Sequence, residues 1–276
     1  MSRLSPGQLA QIACTLEVSA KKPGNVHRFR DFNDASYVDF LLSASAIAEP
    51  LNRARNTGVG QAILEAVEAT RRVVASNTNL GIILLLAPLA AVAPEEDLRS
   101  GVRRVLDSLT VADAQLAYQA IRLARPGGLG SSQQQDIANE PTVSLLEAMR
   151  LAADRDLIAR QYATGYADIF DHVLPALGFT LDEGRSLEES IIHAFLTCLS
   201  HRPDTLILRK CGPEIAAEAS RRASQALFTG DRESLDLWLC SDGHTRNPGA
   251  TADIICAGLY VALADGTIDA IDFASS

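Results

Sequence analysis

Helical periodicity is the feature that most limits the folds open to this chain. Apolar residues recur at intervals of three and four along nearly its whole length, and no sustained apolar/polar alternation of the kind that marks a half-buried strand is present. The first stretch is representative. Leu9, Ile12 and Leu16 follow Ser5-Pro6, a candidate helix cap with proline in the first helical position. The pattern predicts an all-α protein that folds as a multi-helix bundle.

The most apolar segment is LGIILLLAPLAAVA, residues 80–93. Its 14 residues include Pro88 and fall short of the roughly 20 that a membrane-spanning helix needs. We therefore expect a buried core helix and no membrane association. The N-terminal residues show no charged start followed by an apolar run, and the five cysteines include no Cys-x-x-Cys pair. Both features predict a cytoplasmic protein with reduced thiols.

Size and charge exclude some functional classes. The chain has 276 residues, of which 47% are hydrophobic, and this is enough for an extensive core. Its net charge of −9 argues against a nucleic-acid-binding protein, because binding to phosphate backbones requires a broad excess of Lys and Arg. No linker divides the sequence, so we expect residues 1–276 to form a single domain. The sequence does not determine the oligomeric state, so both a monomer and a homo-oligomer stay open.

Capping residues place several of the predicted helix boundaries. Asp34 is positioned to cap a second helix that bends at Pro50, and Thr57 is positioned to cap a third. Thr110 is placed to cap a later helix. These boundaries leave polar segments between the helices.

Four polar segments interrupt the helical pattern. They span residues 21–34, 77–81, 126–140 and 242–253. Each joins the end of one helix to the start of the next, where backbone N–H groups are available to anions. Because such junctions can gather at one end of a bundle, we predict a polar functional site at the helix junctions.

The first polar segment contains two of the three lysines of the chain. The Pro23-Gly24 turn projects the neighbouring side chains, so the segment is a candidate phosphate cradle. Its predicted phosphate contacts are Lys22, Gly24, Asn25, His27 and Arg28. Asp31 and Asp34 could hold Mg²⁺ through one or two carboxylates. The alternative is a solvated basic loop in which Asp34 only caps a helix.

The second and fourth polar segments carry amides, hydroxyls, glycines and carboxylates. Their predicted nucleotide contacts are Asn77, Thr78, Gly81, Asn247 and Gly249. Alternatively, these residues only cap two helices or form the turns before them. Asp253 follows in the first turn of the next helix, where the helix dipole would stabilise it. No P-loop, Gly-x-Ser-x-Gly, His-Glu-x-x-His or Rossmann signature is present, so nucleotide chemistry would need an uncommon site.

Three stretches of these segments carry a family resemblance. They read CTLEVSAKKPGNVHRFRDF (residues 14–32), NTNLGIILLLAPL (77–89) and NPGATADII (247–255). In order and position they resemble the triphosphoribosyl-dephospho-CoA synthase family, and the similarity spans nearly the whole chain. EVSAKKPGNV is the most specific part, because glutamate, lysine, proline and glycine coincide in it at fixed spacing.

The resemblance implies an all-α enzyme that transfers a triphosphoribosyl group from ATP to dephospho-CoA and releases adenine. Substitution at C1 of a ribose passes through an oxocarbenium-like state. It needs a carboxylate to accept the hydroxyl proton and cations to hold the triphosphate. The implied catalytic residues are Glu17 and Asp31, and the implied Mg²⁺ ligands are Asp31, Asp34 and Asp253. Lys22 would bind phosphate, so we expect Lys22→Ala to weaken nucleotide binding in a protein that stays folded.

One stretch departs from the family pattern. Residues 128–143 read GLGSSQQQDIANEPTV, where the citrate-lyase branch has an Arg-Gly-Glu-Ala-type motif ahead of its Pro-Thr-Val. The departure indicates a divergent branch, in which a hydroxyl of another cofactor precursor, such as a one-carbon carrier, is an alternative acceptor. Two other functions stay open. They are a Mg²⁺-dependent N-glycosidic or ADP-ribosyl hydrolase and a non-catalytic nucleotide-binding assembly protein.

Overall fold

Fifteen α-helices and one π-helical turn form the described part of the computed structural model, which comprises residues 4–125 and 136–269. The α-helices are α1 (Pro6–Ser19), α2 (Tyr37–Asn52), α3 (Ala54–Thr57), α4 (Val59–Val73), α5 (Leu80–Ala90), α6 (Leu98–Asp107), α7 (Val111–Ala124), α8 (Leu145–Ala152), α9 (Leu157–Thr164), α10 (Leu174–Asp182), α11 (Leu187–His201), α12 (Thr205–Cys211), α13 (Pro213–Thr229), α14 (Arg232–Cys240) and α15 (Gly249–Asp265). The π-helical turn, Ile169–Val173, leads directly into α10. No strand occurs within these ranges, where His27 and Arg30 form an isolated bridge. The all-α prediction is confirmed.

The start of α1 confirms the predicted cap. The Ser5 Oγ accepts a hydrogen bond from the Gln8 N–H at 3.4 Å, and the Gln8 Oε1 accepts one from the Ser5 N–H at 2.9 Å. Thr110 caps α7 in the same reciprocal way, with Asp113 as its partner. Each pair satisfies two N–H groups that would otherwise lack a partner at a helix start.

Two predicted caps are wrong. Asp34 lies in the loop before α2, and Ser36 caps this helix instead, in a reciprocal pair with Asp39. Ser36 is preferred because the pair satisfies two N–H groups, whereas a lone aspartate cap has no reciprocal partner. Thr57 lies at the end of α3, and Gly58, with a φ of 90°, forms the junction to α4.

Helix α5 lies in the hydrophobic core. Ten of its eleven residues are buried, and it contacts α1, α2, α3, α4, α6, α9 and α15. The prediction of a buried core helix within residues 80–93 is therefore confirmed. In the part of the chain that the structure describes, no helix is long and apolar enough to cross a membrane.

Pro88 lies inside α5 and cannot donate a hydrogen bond to the Leu84 carbonyl. The Tyr162 hydroxyl donates to this carbonyl instead, at 2.6 Å. The Tyr166 hydroxyl donates to the neighbouring Leu85 carbonyl at 2.8 Å. Both tyrosines are buried, and burial raises the pKa of each well above its ordinary value. They therefore act as neutral hydrogen-bond donors that fasten α5 to α9 and the residues after it.

We expect Tyr162→Phe to lower the free energy of unfolding by about 1–3 kcal/mol, because the Leu84 carbonyl would be buried without a partner. Tyr166→Phe is the matched control. The Leu85 carbonyl can also accept the N–H of Leu89 within the helix, so this second change should cost less. Urea unfolding followed by circular dichroism measures both values, and equal losses would contradict the role given to Tyr162.

Candidate active site

A cavity of about 1110 Å³ opens where the end of α1 meets the starts of α5 and α15. Nine residues that the sequence assigned to the site line it: Glu17, Asn25, Asp34, Asn77, Thr78, Gly81, Asn247, Gly249 and Asp253. The sequence leaves open whether the polar segments converge, and in the structure residues of all three resembling segments line this one cavity. Of the third polar segment, residues 136 and 137 line the cavity, whereas 126–135 lie outside the described residues.

Glu17 reaches the cavity from the last turn of α1 and is paired with Lys22. The Lys22 Nζ lies 2.9 Å from the Glu17 Oε1 and also donates to the backbone carbonyls of Glu17 and Ala20. Lys22 is 0% exposed and Glu17 is 4% exposed. The ammonium is thus enclosed by its own chain segment and does not line the cavity. This placement corrects the predicted phosphate contact, because Lys22 holds Glu17 instead.

Distant acids bind the other donors that follow the Pro23-Gly24 turn. Arg28 pairs with Glu188 of α11 at 2.7 Å. The Gly24 N–H donates to the Asp236 Oδ1 of α14 at 2.8 Å, and Arg30 pairs with the same carboxylate. Neither Gly24 nor Arg28 lines the cavity. The predicted cradle is corrected for these two residues, because acids of α11 and α14 already bind their N–H groups.

His27 is buried in the same loop and does not line the cavity. Its Nδ1 accepts a hydrogen bond from the Phe29 N–H at 3.2 Å. Burial, aided by the charge of Arg30, lowers the pKa of His27 to about 4. The imidazole is therefore neutral near physiological pH. This corrects its prediction as a positively charged phosphate contact.

Asp253 packs directly against Gly81. A methyl group on Gly81 would overlap the Asp253 carboxylate, with the carboxyl carbon 2.6 Å away, so the carboxylate would have to move. Gly81 lies in the first turn of α5, and Asp253 lies one turn inside α15. The Asp253 carboxylate thus lies beside the start of α5. This contact joins the second and third resembling segments.

The Asp253 carboxyl has an unusual electrostatic environment. Burial raises its pKa well above the ordinary value, and the charges of Glu17, Asp204 and Asp156 raise it further, whereas Arg209 lowers it. Several carboxylates therefore crowd this part of the cavity. Their combined charge favours a proton or a cation at Asp253.

Asp204 positions the start of α15 and was not predicted from the sequence. Its Oδ2 accepts hydrogen bonds from the N–H and hydroxyl of Thr251 at 2.7 and 2.8 Å. Its Oδ1 accepts from the N–H groups of Leu206 and Ile207 in α12. Burial raises the pKa of Asp204, and these donors oppose the shift. The Asp204 side chain therefore joins the starts of α12 and α15, and its partner Thr251 lies two residues before Asp253. In the sequence, Asp204 is recognisable only as an aspartate that precedes a helix.

The predicted Mg²⁺ ligands do not assemble as one set. The Asp31 Oδ1 accepts a hydrogen bond from the Tyr37 N–H at 2.6 Å and lies outside the cavity lining, whereas Asp34 and Asp253 line it. Within residues 4–125 and 136–269, no group of three or more His, Cys, Asp or Glu side chains could hold a metal ion. Asp31 is therefore corrected both as a ligand and as a catalytic group, because it binds a backbone N–H away from the cavity.

The polar residues of the second segment also contact neighbouring helices. The Asn77 Oδ1 accepts a hydrogen bond from the Leu80 N–H at 3.2 Å, although the N-cap residue of α5 is Asn79, whose side chain makes no capping bond. The Thr78 and Ser43 hydroxyls share a hydrogen bond at 2.6 Å. Nucleotide contact stays a prediction for Asn25, Asn77, Thr78, Gly81, Asn247 and Gly249, all of which line the cavity.

Sequence reasoning missed two features of the cavity. The first is a set of cationic side chains on its lining: Arg71, Arg125, Arg155, Arg209 and Lys210. Of these, Arg209 pairs with Asp156 at 2.7 Å. The second is an apolar wall formed by α7, α8 and α9. Its residues follow the helical periodicity of ordinary core residues, so periodicity alone could not reveal it.

Comparison with protein families gives the family that the three segments resemble. The chain matches the model of the family described as ATP:dephospho-CoA triphosphoribosyl transferase over residues 3–270. The chain belongs to this family. The resemblance of the three segments is thereby confirmed, and the ATP:dephospho-CoA triphosphoribosyl transferase family accounts for their order along the chain.

Two individual proteins are also similar to this family member. A crystal structure from Archaeoglobus fulgidus, provisionally named triphosphoribosyl-dephospho-CoA synthase, has a TM-score of 0.67 and 25% identity, covering 82% of this chain and 99% of that one. A Malonomonas rubra protein, provisionally named 2-(5''-triphosphoribosyl)-3'-dephosphocoenzyme-A synthase, is 29% identical over 99 residues. That match covers 33% of this chain and 31% of the relative, so it spans about a third of the curated relative.

Proposed function

We propose that this protein transfers a triphosphoribosyl group from ATP to a hydroxyl of dephospho-CoA, or of a related cofactor precursor, and releases adenine. The observation that carries the proposal is the meeting of Glu17, Gly81 and Asp253, one from each resembling segment, in one cavity. Substitution at ribose C1 needs a carboxylate beside the reacting carbon. Glu17 suits this role because its ion pair with Lys22 holds it at the cavity wall.

In the proposed reaction, the bond between ribose C1 and adenine breaks, and a bond from the acceptor oxygen to C1 forms. The proton of the acceptor hydroxyl passes to the Glu17 carboxylate, which acts as a general base. Positive charge that develops on the sugar is stabilised by the surrounding carboxylates. Adenine leaves with the bonding electron pair and takes up a proton from water, and Glu17 returns the hydroxyl proton to water, so the charges balance.

The cavity volume supports a site for two substrates. At about 1110 Å³, it lies just above the range of roughly 300–1,000 Å³ that is usual for small-molecule sites. Arg71, Arg209 and Lys210 line it and suit phosphate groups. We propose them as phosphate contacts in place of Lys22 and Arg28. Because the donor is ATP, we propose the cytoplasm as the compartment of the reaction.

We propose Mg²⁺ as the cofactor. Asp253 and the Asn247 Oδ1 are oxygen donors of the kind Mg²⁺ prefers, and the latter is buried without a partner among the described residues. The raised pKa of Asp253 supports the fit, since the nearby carboxylates leave negative charge for a cation to offset. When bound, Mg²⁺ would neutralise charge on the triphosphate. One or two protein oxygens are enough, because substrate phosphates supply other ligands.

Adenine release from ATP tests the function. The protein is incubated with ATP and Mg²⁺, together with dephospho-CoA, with other ribosyl-containing cofactor precursors, or with no acceptor, and the products are separated by chromatography. We expect release that depends on dephospho-CoA. Release only with another acceptor would keep the chemistry and change the substrate. Release without any acceptor would indicate a hydrolase, and ATP binding without release would contradict an enzyme of this class.

We expect Gly81→Ala to lower adenine release about a hundredfold, because the added methyl displaces the Asp253 carboxylate. Gly178→Ala is the matched control, since a methyl there meets no atom within 4 Å. It should keep full activity and raise the free energy of unfolding by about 0.5–1 kcal/mol. Steady-state rates and urea unfolding test both variants. A Gly81→Ala protein with the wild-type rate would show that Asp253 need not lie where Gly81 allows it.

A further inference from the structure

One wall of the cavity is apolar and lies outside the three resembling segments. It is formed by one face each of α7, α8 and α9, with Tyr118, Ile121, Ala148, Met149, Ala152 and Ile158 as its main residues. The spacings of three and four residues on α7 and α8 place these side chains on one face of each helix. This set is called the apolar wall below.

The apolar wall has no part in the substitution at ribose C1, because Glu17, Gly81 and Asp253 come from other helices. Apolar surface that faces water in an open cavity is unfavourable by about 25 cal/mol per Å². A substrate with an apolar portion would cover this surface and bind more tightly for that reason. ATP has no such portion beyond its base, so the second substrate is the better occupant.

Two arginines flank the apolar wall. Arg125 directly follows α7. Arg155 directly precedes Asp156, the residue that caps α9. Both line the cavity together with Asp136. Burial raises the pKa of Tyr118, Arg155 opposes this shift and Asp136 adds to it, so the charges of Arg155 and Asp136 both act on the wall. Guanidinium groups on the cavity lining suit an anion such as a diphosphate.

We propose that the apolar wall binds the pantetheine arm of dephospho-CoA and that Arg125 and Arg155 bind the diphosphate next to it. The inference rests on the proposed function and names the part of the acceptor that the protein selects. The arm is uncharged and carries a branched hydrocarbon group, and it joins the adenosine through a diphosphate. The wall and its two arginines present the matching order of apolar surface and positive charge. ATP lacks the arm, so the wall distinguishes the two substrates.

Ala152→Leu tests the apolar wall by filling it without adding charge. The neighbouring Ala153 does not line the cavity, so Ala153→Leu adds the same bulk outside it and is the matched control. We expect Ala152→Leu to weaken dephospho-CoA binding about tenfold or more in titration calorimetry, because the arm loses its space. ATP binding should be unchanged in Ala152→Leu, and both affinities should be unchanged in Ala153→Leu.

A second probe is 4′-phosphopantetheine, which keeps the arm and one phosphate but has no adenosine. We expect it to compete with dephospho-CoA and not with ATP, and we expect Arg155→Gln to weaken it. Wild-type affinity for dephospho-CoA in Ala152→Leu, competition of 4′-phosphopantetheine with ATP, or equal loss of ATP and dephospho-CoA binding would overturn the proposal.

These binding measurements are independent of turnover, so the two proposals fail separately. Adenine release that depends on dephospho-CoA, together with full dephospho-CoA affinity in Ala152→Leu, would refute the apolar wall as the acceptor site and keep the reaction. Dephospho-CoA binding that is weakened by Ala152→Leu, without adenine release by the wild-type protein, would refute the reaction and keep the binding site.

Discussion

Lys22→Met is expected to lower the free energy of unfolding by about 3–5 kcal/mol, because it leaves the Glu17 carboxylate buried without its cation. The Lys22 Nζ lies 2.9 Å from the Glu17 Oε1, and both side chains are inaccessible to solvent or nearly so. Methionine has a similar unbranched chain, so little packing is lost. Urea unfolding near neutral pH measures the effect. This outcome would replace the sequence-based expectation that Lys22 can be removed from a protein that stays folded.

A double variant separates the structural effect from the chemical one. Glu17→Gln with Lys22→Met removes both charges, so much of the lost stability should return. Glutamine cannot accept the hydroxyl proton, and adenine release should fall about 10²- to 10⁴-fold in Glu17→Gln and in the double variant. If stability does not return, the carbonyl contacts of Lys22 matter more than the ion pair. Full activity in Glu17→Gln would remove Glu17 as the general base.

The partner of Lys22 could not be predicted from the sequence, although the proximity of Glu17 could. The two residues are five apart, and α1 ends between them. Helical spacing therefore does not fix whether the ammonium turns back to Glu17 or outward to a ligand. Arg28 shows the same limit, because its partner Glu188 lies 160 residues away. Ion pairs between distant segments leave no local pattern in a sequence.

The sequence was more informative about where the site lies than about its walls. Gly81 and Asp253 stood out because a glycine and a carboxylate interrupt apolar helical patterns. The structure brings the two residues into contact. Ile121 and Met149 did not stand out, because a cavity wall and a packed core use the same residues at the same spacing. The difference between them is the space left in front of the side chain, which depends on how the helices are arranged.

Asp253→Asn is expected to raise the stability of the metal-free protein and to lower adenine release by about 10²-fold or more. Burial and the charges of Glu17 and Asp204 raise the pKa of Asp253 well above its ordinary value, so an ionised carboxylate is unfavourable in the folded protein. Asparagine has nearly the same shape and no charge. Urea unfolding in EDTA and the adenine assay measure the two effects. A stability loss would show that the carboxylate is held by contacts that outweigh the repulsion.

The pH dependence of this effect follows from the direction of the shift. A carboxyl whose pKa is raised on folding binds its proton more tightly in the folded state. Its contribution favours the folded protein below the ordinary value of about 4 and is lost as the pH rises toward the folded pKa. In EDTA, the stability of the wild type relative to Asp253→Asn should therefore decrease as the pH rises from about 4 toward the folded pKa.

Mg²⁺ should raise the wild-type Tm and leave that of Asp253→Asn unchanged, because a ligand stabilises only the state that binds it. Equal Tm increases in both proteins would place the Mg²⁺ away from Asp253.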